Sequence, residues 1–392
     1  MSLFKKPASI LVTCYRRLAP FLEPEIQALG FEITETFQTG VRTTGTMDDC
    51  IRLNLNLYCA SQVLYSLGTF TSRHPDDVYR FLSQISWEDL LPDDGYFSVT
   101  SNVQTETVNN SMYVNVRVKD AIVDRIREKK GKRPSSGSDM NGAVVHLFWK
   151  EEKAEIFIDT SGETIARHGY RKIPGAAPML ESLASATILA SSWDRNSAFI
   201  NPMCGSGTLA IEAALIATNS KPGLFRNNYS FMHWTGFDEE FYYAEQDKLE
   251  AEIIEAPKLR IIATDHSEAA IENARKNAIA AGVANMIEFQ VCDFAETEIP
   301  AENKGVFFVN PEYGERLGEV EELEGTYARI GDFMKQKCGG YSGYVFTGNL
   351  DLAKKIGLKP KRRIEFYSGK IDCRLLEYEL YQGTKRVFGI IP

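Results

Sequence analysis

The stretch Phe307-Phe308-Val309-Asn310-Pro311-Glu312-Tyr313-Gly314-Glu315-Arg316 decides the fold. Its apolar start reads as a buried strand. The strand must stop at Asn310-Pro311, because proline has no N–H to give a ladder and restrains the residue before it. Polar chemistry is thus delivered at a strand's carboxyl end, the edge where open α/β sheets bind ligands. An amide, a proline carbonyl and a phenol in close succession suit one task, holding the exocyclic amino group of a flat base against an electrophile.

Upstream, Phe199-Ile200-Asn201-Pro202-Met203-Cys204-Gly205-Ser206-Gly207-Thr208 repeats the design. An apolar strand enters a Gly-Ser-Gly turn and a helix follows, so bare backbone can approach a ligand while helix N–H groups face it. A third glycine at the dinucleotide offset is missing, and no Gly-Lys-Ser/Thr follows, which disfavours nicotinamide binding and excludes a P-loop. Asp265 ends Ile261-Ile262-Ala263-Thr264-Asp265, where a carboxylate can accept both hydroxyls of a ribose. Asp293 ends Val291-Cys292-Asp293-Phe294, placed to take an adenine amino group while Phe294 packs on the ring. Either aspartate alone is as readily a strand-end cap or turn former. Four successive strand ends carrying ligand-type residues are much harder to reach by chance.

These strand ends belong to a regular alternation. Strands at 198–201, 259–264, 287–291, 305–309 and 343–346 are separated by helices at 208–217, 267–281, 323–337 and 350–356, which predicts a largely parallel sheet covered on both faces. Strands at 364–367 and 374–381 close it as an antiparallel hairpin at one edge. The segment 219–257, aromatic and then charged, interrupts the alternation and has no assigned place.

The first 160 residues have a different texture. A strand at 10–13, an amphipathic helix at 21–29 and a strand at 31–37 make a small α+β start. From Thr46 the pattern turns helical, with Asp48 the candidate N-cap, and a second helix starts after His74-Pro75. Short strands are expected at 96–101, 112–116, 143–149 and 155–159, around one helix at 119–130. That helix ends in Arg125, Arg127, Lys129, Lys130, Lys132 and Arg133, either a solvated face or a helix end aimed at phosphates. A linker with Arg167, His168, Tyr170 and Arg171 leads into a helix at 178–193.

The 392 residues suffice for two or three domains, and 44% hydrophobic with 25% charged is ordinary globular composition. A net charge of -9 argues against a generally sticky nucleic-acid binder, so RNA contact must come from local basic patches. Seven scattered cysteines with no C-x-x-C spacing disfavour a disulfide framework and a zinc site, and no stretch has the length of a membrane span. A cytoplasmic protein with no metal is expected.

Asn201-Pro202-x-x-Gly205-Ser206-Gly207 with Asn310-Pro311-x-Tyr313 resembles the class I S-adenosylmethionine-dependent amino-group methyltransferases. Together with Asp159-x-Ser161-Gly162, Arg167-His168-Gly169-Tyr170-Arg171, Ala177-Pro178-Met179-Leu180-Glu181 and Tyr313-Gly314-Glu315-Arg316-Leu317, the chain is similar to the THUMP-domain 23S rRNA guanine-N2 methyltransferases over nearly its whole length. The resemblance implies a ferredoxin-like segment at 1–45, a THUMP RNA-binding domain at 46–162 and a Rossmann-like methyltransferase domain at 163–392. It also implies S-adenosyl-L-methionine as cofactor and ribosomal RNA as partner, without fixing whether the chain works as a monomer. A second methyltransferase domain, carried by the fused members, is not expected within these residues. Asn310, Pro311 and Tyr313 would be catalytic, and Asn201, Pro202, Gly205, Ser206, Gly207, Asp265, Asp293 and Phe294 would bind the cofactor. RNA would meet Glu312, Arg316, Arg167, Arg171 and the basic helix end.

Two departures stand out. The family usually has aspartate where this chain has Asn201, and its Asn-Pro-Pro-Tyr is here Asn-Pro-Glu-Tyr, with Glu312 replacing a proline. An adenine-N6 enzyme would use the same Asn-Pro-x-Tyr device. A non-catalytic ribosome-assembly factor could keep the fold.

Overall fold

In the computed structural model, which describes residues 3–108, 110–174, 178–256, 259–314 and 319–381, the chain separates into two units. The first takes residues up to Tyr15, Leu22–Arg167 and Lys221–Ala251. The second takes Arg16–Phe21, His168–Ser220 and the residues from Glu252 onward.

The N-terminal elements are β1 (Ala8–Thr13), α1 (Ala19–Ala28), β2 (Glu35–Phe37), β3 (Gly40–Gly45), α2 (Met47–Asn56), β4 (Gln62–Thr71), α3 (Pro75–Leu82), α4 (Trp87–Leu90), β5 (Tyr96–Gln104), α5 (Ser111–Lys130), β6 (Ser135–Gly137), β7 (Ala143–Lys150) and β8 (Lys153–Asp159). Their strands form one sheet in the order β2-β3-β1-β4-β8-β7-β5-β6, antiparallel except where β5 runs parallel to β6 and β7. Thr46, two residues before the expected cap, starts α2 with a capping box: its hydroxyl accepts the Asp49 N–H at 3.3 Å, and its own N–H donates to Asp49 Oδ2 at 2.9 Å. Asp48 instead pairs with Lys5.

The expected strand at 112–116 is the start of α5. Valines 114, 116 and 118 alternate like a strand, but Asn110 caps the helix by accepting the Met112 N–H at 2.9 Å. The buried set Val114, Val118, Ala121 and Ile122 follows helical spacing, leaving Met112, Tyr113 and Val116 exposed.

The chain continues through α6 (Glu181–Ala190), β9 (Phe199–Pro202) and α7 (Thr208–Ala217). The unplaced insertion then joins the first unit over Lys221–Ala251, ending in α8 (Glu239–Ala251). It is stitched in by backbone: Phe231 N–H donates to the Thr160 carbonyl at 3.0 Å, and Ser230 Oγ accepts the Val144 N–H at 2.9 Å. Strand and helix then alternate as β10 (Ile261–Asp265), α9 (Glu268–Ala280), β11 (Ile287–Val291), β12 (Val306–Val309), α10 (Glu319–Lys337), β13 (Ser342–Thr347) and α11 (Leu350–Lys355), closing on β14 (Arg362–Ser368) and β15 (Ile371–Glu379).

The second sheet has the order β11-β10-β9-β12-β13-β15-β14. It is parallel through β13, with β15 antiparallel between β13 and β14. Ile200, Ile262, Phe307 and Val309 are buried in one core with Tyr327, Ile330 and Met334 of α10. The order places the reversal of winding between β9 and β12, the point at which open sheets part to hold a ligand. The register pairs Phe199 with Val306 and Ile200 with Phe307, so the ladder ends one residue before Asn201 and three before Asn310. No helix among the described residues is long and apolar enough to cross a membrane.

Candidate active site

Where the β9–β12 ladder ends, Asn201 takes over. Its buried side-chain Nδ2 donates to the Phe308 carbonyl at 2.9 Å, holding the two strands together at the mouth of the crevice. An ionised aspartate could not make this bond, being acceptor-only. The other side of the amide, Asn201 Oδ1, is buried without a hydrogen-bond partner among the described residues, and so is Asn310 Oδ1 at the end of β12. Each unsatisfied buried acceptor costs about 1–3 kcal/mol until a donor reaches it, and these two stand at the crevice.

The turn after β9 is built for close approach. Met203, Gly205 and Gly207 all have positive φ, and Gly207 is the N-cap of α7 without offering a side-chain hydrogen bond, so the first-turn N–H groups are left for an anion. A Cβ at Gly205 would meet nothing within 4 Å, whereas one at Gly207 would lie 2.9 Å from Ala274 Cβ, so Gly205 borders open space and Gly207 borders α9. Asp265 Oδ2 accepts the Gly205 N–H at 3.0 Å and Oδ1 accepts the Ser267 N–H at 2.9 Å, which fixes the carboxylate beside the turn with lone pairs to spare.

Asp293 Oδ1 accepts the Ala295 N–H at 2.9 Å and an Arg329 N–H at 2.6 Å. Burial alone would raise this carboxyl, but the Arg329 guanidinium and the Ala295 N–H hold it below the usual range. Phe294 departs from expectation. It is buried in the core, edge-on to Phe333 at 6.4 Å and covered by Arg329 at 4.8 Å, so its ring packs on protein rather than on an adenine. Past β12, Pro311 is buried, Glu312 exposed, and Tyr313 half-buried against the core. Arg316 lies outside the described residues.

Two arginines expected to meet RNA are committed elsewhere. Arg171 is nearly buried, 3.5 Å from Glu181 and donating to the Met179 carbonyl at 2.5 Å and Thr208 Oγ1 at 2.9 Å, so it braces the start of α7. Burial raises the Glu181 carboxyl against the pull of this guanidinium. Arg125 makes a forked pair with Glu88 at 2.6 Å, tying α5 to α4. Arg127, Lys129, Lys130, Lys132, Arg133 and Arg167 are exposed. Lys130 pairs with Asp93 at 2.5 Å and Arg127 with Asp124 at 3.1 Å, both on the surface.

Sequence reading missed Asn277. Buried on α9, it accepts the Lys172 and Ile173 N–H groups at 2.9 and 3.1 Å and donates to the Ile173 and Ser206 carbonyls at 2.9 and 3.1 Å. The signal was available: an asparagine among the buried alanines 274 and 278 of an amphipathic helix. His168 and Glu212 are structural. Glu212 accepts from Tyr170 at 2.7 Å and from Ser185 at 2.6 Å, and lies 2.8 Å from His168 Nδ1, all of them buried, which fastens the linker onto α7.

A mostly parallel sheet with an antiparallel hairpin, a glycine turn after its first strand and Asn-Pro at its fourth defines a class I methyltransferase fold. Residues 168–377 match the family model described as RMKL-like, methyltransferase domain, and the chain belongs to that family. Residues 9–64 match the RlmL ferredoxin-like domain and 72–159 the THUMP domain. A ribosomal RNA large subunit methyltransferase K/L of Syntrophotalea carbinolica is 34% identical over 98% of this chain and 55% of its own length. The chain thus spans about half the length of the curated K/L relatives it matches. A putative RNA methyltransferase of Synechocystis sp. is 31% identical over 94% of this chain and 96% of its own. Among solved structures, SMU.472, a putative methyltransferase complexed with SAH, is 25% identical with a TM-score of 0.86, over 97% of this chain and all of that one.

Proposed function

We propose that the protein methylates the exocyclic N2 amino group of a guanine in large-subunit ribosomal RNA, using S-adenosyl-L-methionine. The observation that carries the reading is Asn310 Oδ1, a buried acceptor without a partner at the point where the sheet opens. Support for the cofactor comes from the uncapped start of α7, the open side of Gly205, the fixed Asp265 carboxylate and the spare acceptor of Asn201. These residues, with Pro202, Ser206, Gly207 and Asp293, would hold its anionic, ribose and adenine parts; Phe294 would contribute core packing behind them.

When bound, the cofactor supplies an electrophilic methyl group on a positively charged sulfur. Asn310 Oδ1 and the Pro311 carbonyl accept the two N2 hydrogens, which localises the nitrogen lone pair and aims it in line; once N2 carries the methyl it gives up one of those hydrogens to water as a proton. Tyr313 gives the base a stacking surface worth about 1–3 kcal/mol, comparable with the few kcal/mol needed to extrude a nucleotide. Glu312, exposed beside them, accepts guanine N1–H, a donor that adenine lacks. Residues 46–162 receive the RNA, with Arg127, Lys129, Lys130, Lys132, Arg133 and Arg167 toward phosphates and Arg316 at the target nucleotide. Such a substrate places the reaction in the cytoplasm.

The test is transfer of labelled methyl to unmodified ribosomal RNA, followed by digestion to nucleosides. N2-methylguanosine is expected. N6-methyladenosine would move the reading to an adenine enzyme, and cofactor binding without transfer would make the chain an assembly factor. Mapping in cells with and without the gene then locates the nucleotide.

A further inference from the structure

The strand next to β12 also ends in polar residues, Thr347-Gly348-Asn349, and they lie beneath the loop that carries Tyr313. A methyl group built on Gly348 would lie 3.1 and 3.2 Å from Cε2 and Cδ2 of Tyr313 and 2.7 Å from Ile371 Cγ2. Carbon atoms at rest are about 3.5–4.0 Å apart. The tyrosine ring therefore occupies space that exists only because residue 348 has no side chain. Gly348 is not one of the positive-φ glycines, so it is needed there for room rather than for backbone conformation.

The shelf itself is fixed. Thr347 is fully buried and its Oγ1 lies 2.9 Å from the Tyr327 hydroxyl, while it accepts the Asn349 N–H at 3.1 Å. Asn349 Oδ1 caps α11 by accepting the Asp351 and Leu352 N–H groups, both at 3.1 Å, and its Nδ2 reaches toward the Tyr313 carbonyl at 3.4 Å. The turn is thus anchored to α10 and α11. A side chain at 348 could not be absorbed by moving the turn, and Ile371 closes the other side.

We propose that Gly348 is a positioning residue for the target base, acting through Tyr313: it sets how deep the ring settles and hence the plane on which the base stacks beside Asn310 and Pro311. The inference rests on the base-methylation reading above. It adds the fifth strand end of the sheet to the site.

The test compares Gly348→Ala, Tyr313→Ala and the double variant, reading kcat and KM for RNA, cofactor Kd by titration and thermal melting. A reacting group displaced by about an ångström costs on the order of 10²-fold, so Gly348→Ala should lower kcat about 10- to 100-fold with KM and cofactor Kd within about twofold. In the Tyr313→Ala background it should cost nothing further. Gly348→Ala/Ile371→Ala, which relieves the tighter of the contacts, keeps the test usable if the single variant does not fold, and it too should be slow. An unchanged kcat, an equal loss without Tyr313, or full recovery on trimming Ile371 would each overturn the proposal. A wild-type enzyme that moves no methyl to RNA overturns the underlying reading and this one with it. An active wild type that tolerates the methyl group at 348 overturns this one alone.

Discussion

Asn310 sets stability against function within one side chain. Its buried oxygen has no hydrogen-bond partner among the described residues, so removing it should relieve the protein while disarming the reaction. Asn310→Ala is expected to lower kcat on the order of 10²–10³-fold, the usual cost of one preorganised polar contact, with cofactor Kd unchanged and a melting temperature equal to or above wild type. Steady-state kinetics beside calorimetry checks it, and a destabilised variant with normal kcat would count against the assignment. Two residues on, Glu312→Pro restores the family's residue and should weaken the hold on guanine while leaving the Asn310 and Pro311 acceptors in place. Transfer to guanine should fall about 10-fold, the scale of one specific hydrogen bond to a base. No change on guanine RNA would reduce Glu312 to a solvent-facing loop residue.

Among the elements, the turn from Met203 to Gly207 separates two kinds of glycine. Gly205→Ala adds a methyl that touches no protein atom, so the fold should tolerate it apart from a left-handed backbone cost of about 1 kcal/mol, while cofactor Kd weakens more than tenfold. Gly207→Ala, pressed on Ala274, should lower the melting temperature more than Gly205→Ala does and weaken cofactor Kd less. The reverse ranking in titration and melting experiments would place the ligand on the other side of the turn. The central strands β9, β10, β12 and β13 were legible because each is a short, largely apolar run stopped by glycine, proline or aspartate, local signals that need no partner. Strand β4 was not, since its register against β8 shifts between Ser66 and Gly68, a bulge that breaks its alternation. The start of α5 misled because three valines alternate on a helix. Asp293 and Asp265 were readable as strand-end acids, but the inward turn of Phe294, Arg125 and Arg171 depends on Phe333, Glu88 and Glu181, partners remote in sequence or undistinguished in it.

For the whole molecule, acidity should matter at both ends of the pH scale, and Asp159 tests the upper end. It closes β8, fully buried, accepting the Ser161 N–H at 3.0 Å, the Gly162 N–H at 3.2 Å and a Gln62 side-chain N–H at 2.7 Å. Burial outweighs these donors and pushes its carboxyl up to about 7 from an ordinary 3.8. A folded pKa above the unfolded one means that the native state holds the proton longer. Its contribution is complete below pH 3.8 and is lost as pH rises through about 7. Partly buried carboxylates paired with arginine, such as Glu88, held low chiefly by the Arg125 hydrogen bond, act in the opposite sense and lose their contribution as pH falls. Stability should therefore peak in mildly acidic solution. Asp159→Asn keeps an oxygen for the Ser161 and Gly162 N–H groups and cannot ionise, so its denaturant-unfolding free energy should fall less than wild type's between about pH 5 and pH 8. Measured in parallel, the two proteins should diverge as pH rises; superimposable pH profiles would mean that Asp159 stays ionised in the fold and that its backbone donors outweigh its burial.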